Sequence, residues 1–452
     1  MIGFTVDKAA GICDAELFGG GENSIINKIE IDSRAVSEGD LFVAFKGSNT
    51  DGHRFISSAL EKGAACCLAN YVPEGCKGPV IVVPDVEAAL EKLTSAFRET
   101  IDIPVIGITG SVGKTTGKEM IASVISGKFR TLKTYKNFNN TIGVPMTMSQ
   151  IGPEHEAAVV EMGINHPDEM RHLAVMVRPT IAVFTVMGHA HLEFLKSPEG
   201  VFREKTSMLN YMRDDAVAVV NGDDPLLDKL VCRQRIIRYG LHSNADVRAT
   251  NIVPNGNSID CRITYLDREL HAEIPGFGNH MVYAALEAAS VGFVLGLDDD
   301  QIIKGIRSFK ALEGRSNLIE TSYISLIDDC YNANPDSARS SLDSMCNFKG
   351  RKVFIFGDML ELGENTKSMH ADIGRYANGR ADLLITVGKL SYNAYEAFEG
   401  PKQSFVTTDE LLLKLDGLIE KGDTVLIKAS RDSALFKVRD ALKELGGGNS
   451  DG

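Results

Sequence analysis

One segment of this chain, an apolar run that leads into a glycine-rich turn, constrains its fold most strongly. It reads Pro104-Val-Ile-Gly-Ile-Thr-Gly-Ser-Val-Gly-Lys-Thr-Thr116 and precedes a stretch that favours a helix. Glycines let backbone N–H groups converge on phosphate oxygens, and the helix presents its positive N-terminal end to them. Lys114 can reach the β- and γ-phosphates, and the Thr115 hydroxyl can ligate Mg²⁺. The segment predicts a phosphate-binding loop with the nucleotide-binding residues Gly110, Ser111, Val112, Gly113, Lys114, Thr115 and Thr116.

Length and charge narrow the class of protein. The chain has 452 residues, more than one hydrophobic core usually supports, so two or three domains are expected. Its 61 acidic and 48 basic residues give a net charge of −13, which argues against a nucleic-acid-binding surface and favours small-molecule partners. Because no apolar run reaches about 18 residues and the start lacks a signal-peptide pattern, we expect no membrane insertion and a cytoplasmic location.

Hydrophobic patterns divide the chain into three blocks and predict an α/β protein of three domains. Residues 1–84 suggest a small mixed α/β domain, and residues 85–312 begin with a connecting helix at 85–100. Strand-like runs then alternate with helical patterns, which predicts a parallel sheet with ligands at the carboxyl ends of its strands. Alternating residues at 259–265 and 270–274 predict antiparallel strands that flank this sheet. Residues 313–446 predict a Rossmann-like domain, and the tail at 447–452 is expected to be disordered.

Three polar side chains fall near the ends of predicted central strands or in the helix that follows. Glu161 closes the run that starts at Ala157, where a carboxylate can face nucleotide phosphates and hold Mg²⁺. His191 follows the strand at 180–186, and Lys205 lies fourteen positions further on, in a helical pattern. Taken alone, this lysine is typical of a solvated helix face.

The phosphate-binding loop, Glu161 and the spacing from His191 to Lys205 together resemble the Mur ligases, which add amino acids to the peptide of a cell-wall precursor. The resemblance covers nearly the whole chain. It implies that ATP and two Mg²⁺ ions bind, with Thr115 and Glu161 as metal ligands. It also implies that CO₂ carbamylates Lys205, which then helps His191 to hold the second ion. Lys114, Glu161, His191 and Lys205 are thereby expected to be catalytic.

Two further motifs indicate the substrates. The stretch from Asp32 to Gly47 is similar to the UDP-sugar-binding domain of the third and fourth amino-acid-adding enzymes of this family. It offers hydrogen-bond donors and positive charge for a diphosphate and uracil. Amide-bearing residues near 136–145 suit the neutral part of the same substrate. The predicted UDP-substrate contacts are Ser33, Arg34, Lys46, Asn139, Asn140 and Thr141.

The second motif, Asp328-Asp-Cys-Tyr-Asn-Ala-Asn-Pro-Asp-Ser337, resembles the version found in family members that add D-alanyl-D-alanine. The resemblance implies ATP-dependent ligation of that dipeptide to UDP-N-acetylmuramoyl-tripeptide through an acyl phosphate. The sequence leaves the oligomeric state open, and a monomer is the expectation. Arg315 and Asp329 are expected to contact the nucleotide from the third domain. The predicted acceptor region consists of Tyr331, Asn332, Asn334 and Ser337.

Two alternatives stay open at the level of sequence. Alanine stands at Ala284, where the family usually has an asparagine that helps to hold adenine, so a catalytically silent homologue that only binds UDP-peptide or nucleotide is one alternative. A related ligase with a different acceptor is the other. The third residue of the tripeptide, lysine or diaminopimelate, is equally open.

Overall fold

The structure is a computed structural model that describes residues 3–47, 50–242 and 244–445. Its strands form three separate sheets of five, nine and six strands, and helices pack on them, as expected for an α/β protein. No helix in the described ranges is long and apolar enough to cross a membrane. The predicted tail at 447–452 lies outside the described residues.

The first sheet is small and mixed. Its order is β1-β5-β4-β3-β2, with β1 antiparallel to β5 and the other pairs parallel. The elements are α1 (Val6–Ile12), β1 (Glu16–Phe18), β2 (Ile29–Glu30), β3 (Leu41–Val43), α2 (Ile56–Glu61), β4 (Cys66–Ala69) and β5 (Val80–Val82).

The predicted connecting helix is α3 (Val86–Glu99), and it starts where the sequence indicates. The Asp85 carboxylate accepts a hydrogen bond from the backbone N–H of Ala88 and so caps the helix. The apolar face of α3 is buried, with Phe97 packed edge-on against Phe4 at 5.8 Å. This contact ties the helix to the N-terminal segment that precedes α1.

The central sheet contains the phosphate-binding loop. Its order is β14-β13-β12-β11-β10-β9-β6-β8-β7, parallel from β7 to β12 and antiparallel from β12 to β14. The predicted antiparallel strands therefore flank the parallel part as a hydrogen-bonded continuation of it. The strands are β6 (Val105–Thr109), β7 (Thr131–Lys133), β8 (Ala157–Glu161), β9 (Ile181–Phe184), β10 (Val217–Asn221), β11 (Arg235–Gly240), β12 (Val247–Asn255), β13 (Ser258–Tyr265) and β14 (Arg268–Pro275).

Seven helices accompany the central sheet. They are α4 (Lys114–Ile125), α5 (Gly143–Ser149), α6 (Glu169–Val177), α7 (Leu192–Leu195), α8 (Pro198–Thr206), α9 (Asn279–Val294) and α10 (Asp299–Arg307). Strand β6 lies between β8 and β9, with Ile108 opposite Glu161 and Thr109 opposite Phe184. Since parallel strands end at the same edge, this order brings the loops after all three strands together.

The third sheet has the order β15-β16-β20-β17-β18-β19 and is parallel except for β15. Its strands are β15 (Asn317–Glu320), β16 (Ser325–Asp329), β17 (Lys352–Gly357), β18 (Leu383–Val387), β19 (Lys402–Phe405) and β20 (Thr424–Lys428). The helices are α11 (Pro335–Met345), α12 (Thr366–Ala377), α13 (Tyr392–Ala397), α14 (Thr408–Leu412) and α15 (Phe436–Glu444). No strand in the described part of the chain crosses the predicted domain boundaries at 84 and 312, and each sheet lies within one predicted domain. The boundaries themselves stay predictions.

Candidate functional site

The phosphate-binding loop joins the end of β6 to the start of α4. Gly113 precedes the helix with a φ of 89°, a left-handed conformation that glycine adopts without strain. A Cβ atom on Gly110 would lie 1.9 Å from Thr185 Oγ1, so this position has no room for a side chain. Lys114 Nζ donates to the Gly110 carbonyl at 2.7 Å, which folds the ammonium group over the loop. The loop thus has the glycines and the cation in the positions that a phosphate cradle requires.

Glu161 lies beside this loop at the end of β8, as predicted. The Thr115 hydroxyl donates to Glu161 Oε1 at 3.2 Å, and the Asn139 side chain donates to the same oxygen at 2.8 Å. The second oxygen, Oε2, is buried and has no hydrogen-bond partner in the part of the chain that the structure describes. A hydroxyl and a carboxylate with an oxygen that accepts no hydrogen bond are suitable ligands for Mg²⁺ beside nucleotide phosphates.

His191 and Lys205 lie close enough to the same loop for the charge of Lys114 to affect both. His191 Nδ1 lies 2.6 Å from Glu361 Oε2, and burial lowers the pKa of His191, although the Glu361 hydrogen bond opposes this. Lys205 lies on α8 with its side chain fully buried, and its Nζ has no hydrogen-bond partner among described residues. Burial, and secondarily the charge of Lys114, hold the pKa of Lys205 well below its usual value. The site therefore favours a neutral amine at Lys205.

The residues present suit a Mg²⁺ ion whose ligands come mostly from water and phosphate oxygens. No group of three or more His, Cys, Asp or Glu side chains in the described ranges is arranged around a metal position. Mg²⁺ commonly binds through one or two carboxylates together with substrate phosphates, and Thr115 with Glu161 satisfies that pattern. A second ion would need a further anion, since Lys205 as an amine cannot supply hard oxygen ligands.

A cavity of about 280 Å³ opens above the phosphate-binding loop, between the central and third sheets. Residues from both sides line it, which places two of the candidate catalytic residues, Lys114 and His191, and part of the candidate acceptor motif around one space. Its lining includes Ser111, Lys114, Asn165, His191, Asn332, Asn334, Glu361 and Arg431.

Most residues of the predicted acceptor motif make contacts within the third domain. The Arg315 guanidinium stacks on the Tyr331 ring at 3.9 Å, and its charge helps to lower the pKa of Lys114, for which burial is the main cause. Asn334 and Ser337 form the capping box of α11. Asp329 is buried and pairs with Lys428 at 2.6 Å. Asn332 and Asn334 line the cavity, while the predicted ligand contacts of all these residues stay predictions.

The predicted UDP-binding residues lie in two places. In the first domain Arg34 is exposed and pairs with Asp32 at 2.7 Å, the Ser33 carbonyl accepts from Lys62 at 2.8 Å, and Lys46 forms a backbone bridge with Asp51. In the central domain Asn139 contacts Glu161, and Asn140 accepts a hydrogen bond from the Gly143 N–H, while Thr141 is the next residue along. The structure thus places Asn139 at the candidate magnesium carboxylate.

Sequence reasoning did not single out several charged residues that the structure brings to this region. Lys118 is buried one turn into α4, 3.7 Å from Glu161 Oε2, and its spacing from Lys114 is a signal that the sequence contains. Glu361 and Asp336 contact the loop that contains His191 from the third domain, and no local pattern indicates that contact. Ala284 is buried in α9, and its methyl side chain has no polar group to offer adenine.

A buried acid also lies behind the phosphate-binding loop. Glu287 on α9 accepts a hydrogen bond from the Tyr239 hydroxyl at 2.9 Å, and a Cβ atom on Gly117 of α4 would lie 2.1 Å from Glu287 Oε2. Burial raises the pKa of Glu287 to about 8. The carboxyl is therefore mainly protonated at neutral pH.

Three family models match successive parts of this chain. They are described as Mur ligase family, catalytic domain (residues 25–98), Mur ligase middle domain (residues 108–292) and Mur ligase, glutamate ligase domain (residues 314–431). The chain is 33% identical to the UDP-N-acetylmuramoyl-tripeptide–D-alanyl-D-alanine ligase of Bacillus subtilis, over 94% of each chain. It is 31% identical to the Escherichia coli enzyme of that name, over 99% of this chain and 100% of the other.

Solved structures agree with the sequence relatives. MurF from Acinetobacter baumannii superposes with a TM-score of 0.90 at 30% identity, over 98% of this chain and 99% of that one. MurF from Thermotoga maritima, solved in complex with ADP, superposes with a TM-score of 0.83 at 29% identity, over 92% and 97%. Together with the phosphate-binding loop, Glu161 and the buried Lys205, these similarities establish that the chain belongs to the Mur ligase family.

Proposed function

We propose that this protein is an ATP-dependent ligase that joins D-alanyl-D-alanine to UDP-N-acetylmuramoyl-tripeptide in peptidoglycan precursor synthesis. The observation that carries the proposal is the grouping of Lys114 with His191 in the cavity, of Glu161 with Thr115, and of Lys205 within reach of the charge of Lys114, in a chain nearly a third identical to ligases of that name. ATP is the phosphoryl donor, as the ADP complex of the Thermotoga maritima relative supports. We expect the reaction to take place in the cytoplasm.

Different side chains are proposed to contribute different interactions to phosphoryl transfer. In the expected reaction ATP phosphorylates the terminal carboxylate of the tripeptide, and the dipeptide amine then displaces phosphate from the acyl phosphate. Lys114 would neutralise charge on the transferring phosphoryl group, and Thr115 with Glu161 would hold Mg²⁺, which supplies further charge neutralisation. These groups are fixed by the protein before the reaction, so they need not reorganise as charge develops.

Lys205 is proposed to act as a carbamate. Its amine is buried and has no hydrogen-bond partner among the described residues, and its lowered pKa favours the unprotonated form, which is the nucleophile that reacts with CO₂. The reaction forms an N–C bond and releases a proton, and the resulting anion would lie near the positive charge of Lys114. Thr115, Glu161, His191 and the carbamate would then hold two Mg²⁺ ions.

The test is ADP release by the purified protein with ATP and Mg²⁺. Release that requires both the UDP-tripeptide and the D,D-dipeptide supports the ligase. Binding of either substrate without turnover would indicate the catalytically silent homologue, and turnover only with a different acceptor would indicate the other alternative. Comparing lysine- and diaminopimelate-containing tripeptides in the same assay identifies the third residue.

A further inference from the structure

One of the two third-domain carboxylates that contact the loop after β9 accepts a hydrogen bond from its backbone. Asp336, in the first turn of α11, accepts a hydrogen bond from the His189 backbone N–H at 2.6 Å, and its other oxygen lies 3.1 Å from His189 Nδ1. The preceding residue, Gly188, touches the same group, since a Cβ atom there would lie 2.1 Å from Asp336 Oδ2. The loop backbone thus passes directly against the carboxylate.

The same loop is bonded to the phosphate-binding loop on its other side. The Gly188 N–H donates to Ser111 Oγ at 2.9 Å, and the Ser111 N–H donates to the Val186 carbonyl at 2.7 Å. His191, two residues beyond His189, contacts Glu361 of the third domain. The loop at 186–191 therefore connects the phosphate cradle, the candidate catalytic histidine and the third domain through short hydrogen bonds.

We propose that Asp336 is a positioning residue for the ligation reaction, which holds the third domain on this loop and thereby keeps Ser111 and His191 in place. The inference rests on the proposed function. Asp336 is three-quarters buried, so water competes weakly for its oxygens, and a hydrogen bond to a carboxylate is stronger than one between neutral groups. Closure held in this way also excludes water from the acyl phosphate in the cavity.

Removal of the carboxylate should affect turnover and leave UDP-precursor binding unchanged. Asp336→Ala should lower kcat by roughly tenfold or more, as the loss of a charge-assisted hydrogen bond implies. The KM for the UDP precursor should not change if that substrate binds mainly to the first domain. Asp336→Asn should keep part of the activity, because its amide oxygen can still accept from the His189 N–H.

A matched control lies on the same helix. Asp343 accepts hydrogen bonds from Tyr376 and Arg380, both in the third domain, and among the described residues it forms no hydrogen bond or ion pair with the loop at 186–191. Asp343→Ala removes a carboxylate from α11 without altering the docking contact, so its kcat should equal that of the wild type. Gly188→Ala perturbs the same contact from the loop. It should lower kcat because its methyl group displaces Asp336. Adding it to Asp336→Ala should cause little further loss, since the clash is then absent.

A cross-link tests the contact independently of activity. A Cβ atom on Gly188 would lie 3.7 Å from Asp336 Cβ, within the range that a disulfide spans. The double variant Gly188→Cys, Asp336→Cys should form this disulfide under mild oxidation with diamide when ATP and UDP-tripeptide are present. It should lose turnover when oxidised, and reduction should raise turnover to the level of Asp336→Ala.

The outcomes separate the two proposals. If the wild type shows no dipeptide-dependent ADP release, the proposed function fails, while the cross-link still reports on the contact. An active wild type with an unchanged kcat for Asp336→Ala overturns the positioning role alone. Absence of the cross-link with both substrates bound overturns the docking contact itself.

Discussion

Replacement of Lys205 should separate activity from stability. Its ammonium form would be buried without a hydrogen-bond partner in the described structure and would lie near the charge of Lys114. Methionine has a similar length and volume and carries no charge. We therefore expect Lys205→Met to fold normally and to lose turnover by a factor on the order of 10² or more, the usual consequence of removing a preorganised group at a reacting phosphate.

The stability effect follows from the burial. A buried lysine without a partner must either keep an unpaired charge or lose its proton on folding, and both cost free energy, whereas replacing buried charged groups by well-packed apolar ones is often neutral or stabilising. The free energy of unfolding of Lys205→Met should thus equal that of the wild type or exceed it by roughly 1–3 kcal/mol. A residue that merely supported the fold would lose stability and activity together.

If Lys205 is a carbamate, two further measurements should show it, an NMR signal and the rescue of a truncated variant. Bicarbonate-derived CO₂ labelled with ¹³C should give a carbamate signal in the NMR spectrum of the wild type, and Lys205→Met should lack it. Lys205→Ala should be nearly inactive, and formate or acetate should restore part of its activity by placing carboxylate oxygens in the vacated space. Lys205→Arg should not be rescued, because its bulk and permanent charge remain.

The measurements are ADP release at saturating substrates and denaturant unfolding of each variant. Full activity of Lys205→Ala without added acid would remove this lysine from the active site. Absence of the labelled signal from a wild type that is fully active would refute the carbamate.

Three further predictions concern other parts of the site. Lys114→Ala should lower the turnover of ligation by on the order of 10²-fold or more while the affinity for UDP-tripeptide, measured by calorimetry, stays unchanged. Arg34→Ala should raise the KM for UDP-tripeptide by about tenfold to a hundredfold with little effect on that for ATP, because it removes charge-assisted hydrogen bonds. Glu287 keeps its proton up to about pH 8 when folded and loses it near 4.5 when unfolded, so stability should fall as pH rises through that window, by about 1.4 kcal/mol per unit. Glu287→Gln should remove this slope, which thermal unfolding at pH 5.5 and 7.5 can measure.

A specific result would contradict each of these three predictions. Unchanged turnover in Lys114→Ala would refute the phosphate-binding assignment. A rise in the KM for ATP in Arg34→Ala would show that the arginine belongs to a different site. An equal pH dependence in Glu287→Gln and the wild type would mean that this carboxyl titrates normally in the folded protein.

Several features of the fold were predictable because they depend on neighbours in the sequence. The helix α3 and its Asp85 cap follow from periodicity and a capping side chain. The phosphate-binding loop follows from glycines that permit conformations other residues avoid, and Glu161 was placed correctly because the ends of parallel strands share one edge. That β13 and β14 flank the central sheet was predicted, but that they continue it by hydrogen bonding was not, since alternation identifies a strand but not its partner.

By itself, the sequence determined the α/β fold, the phosphate-binding loop and the family, since these depend on local pattern and on motifs of fixed spacing. Tertiary structure decided the environment of each side chain. The full burial of Lys205, the docking of Asp336 on the 186–191 loop and the use of Asn139 beside Glu161 all bring together residues that lie far apart in the chain. Desolvation and long-range hydrogen bonds arise only when separate elements pack against each other, so no local pattern of residues encodes them.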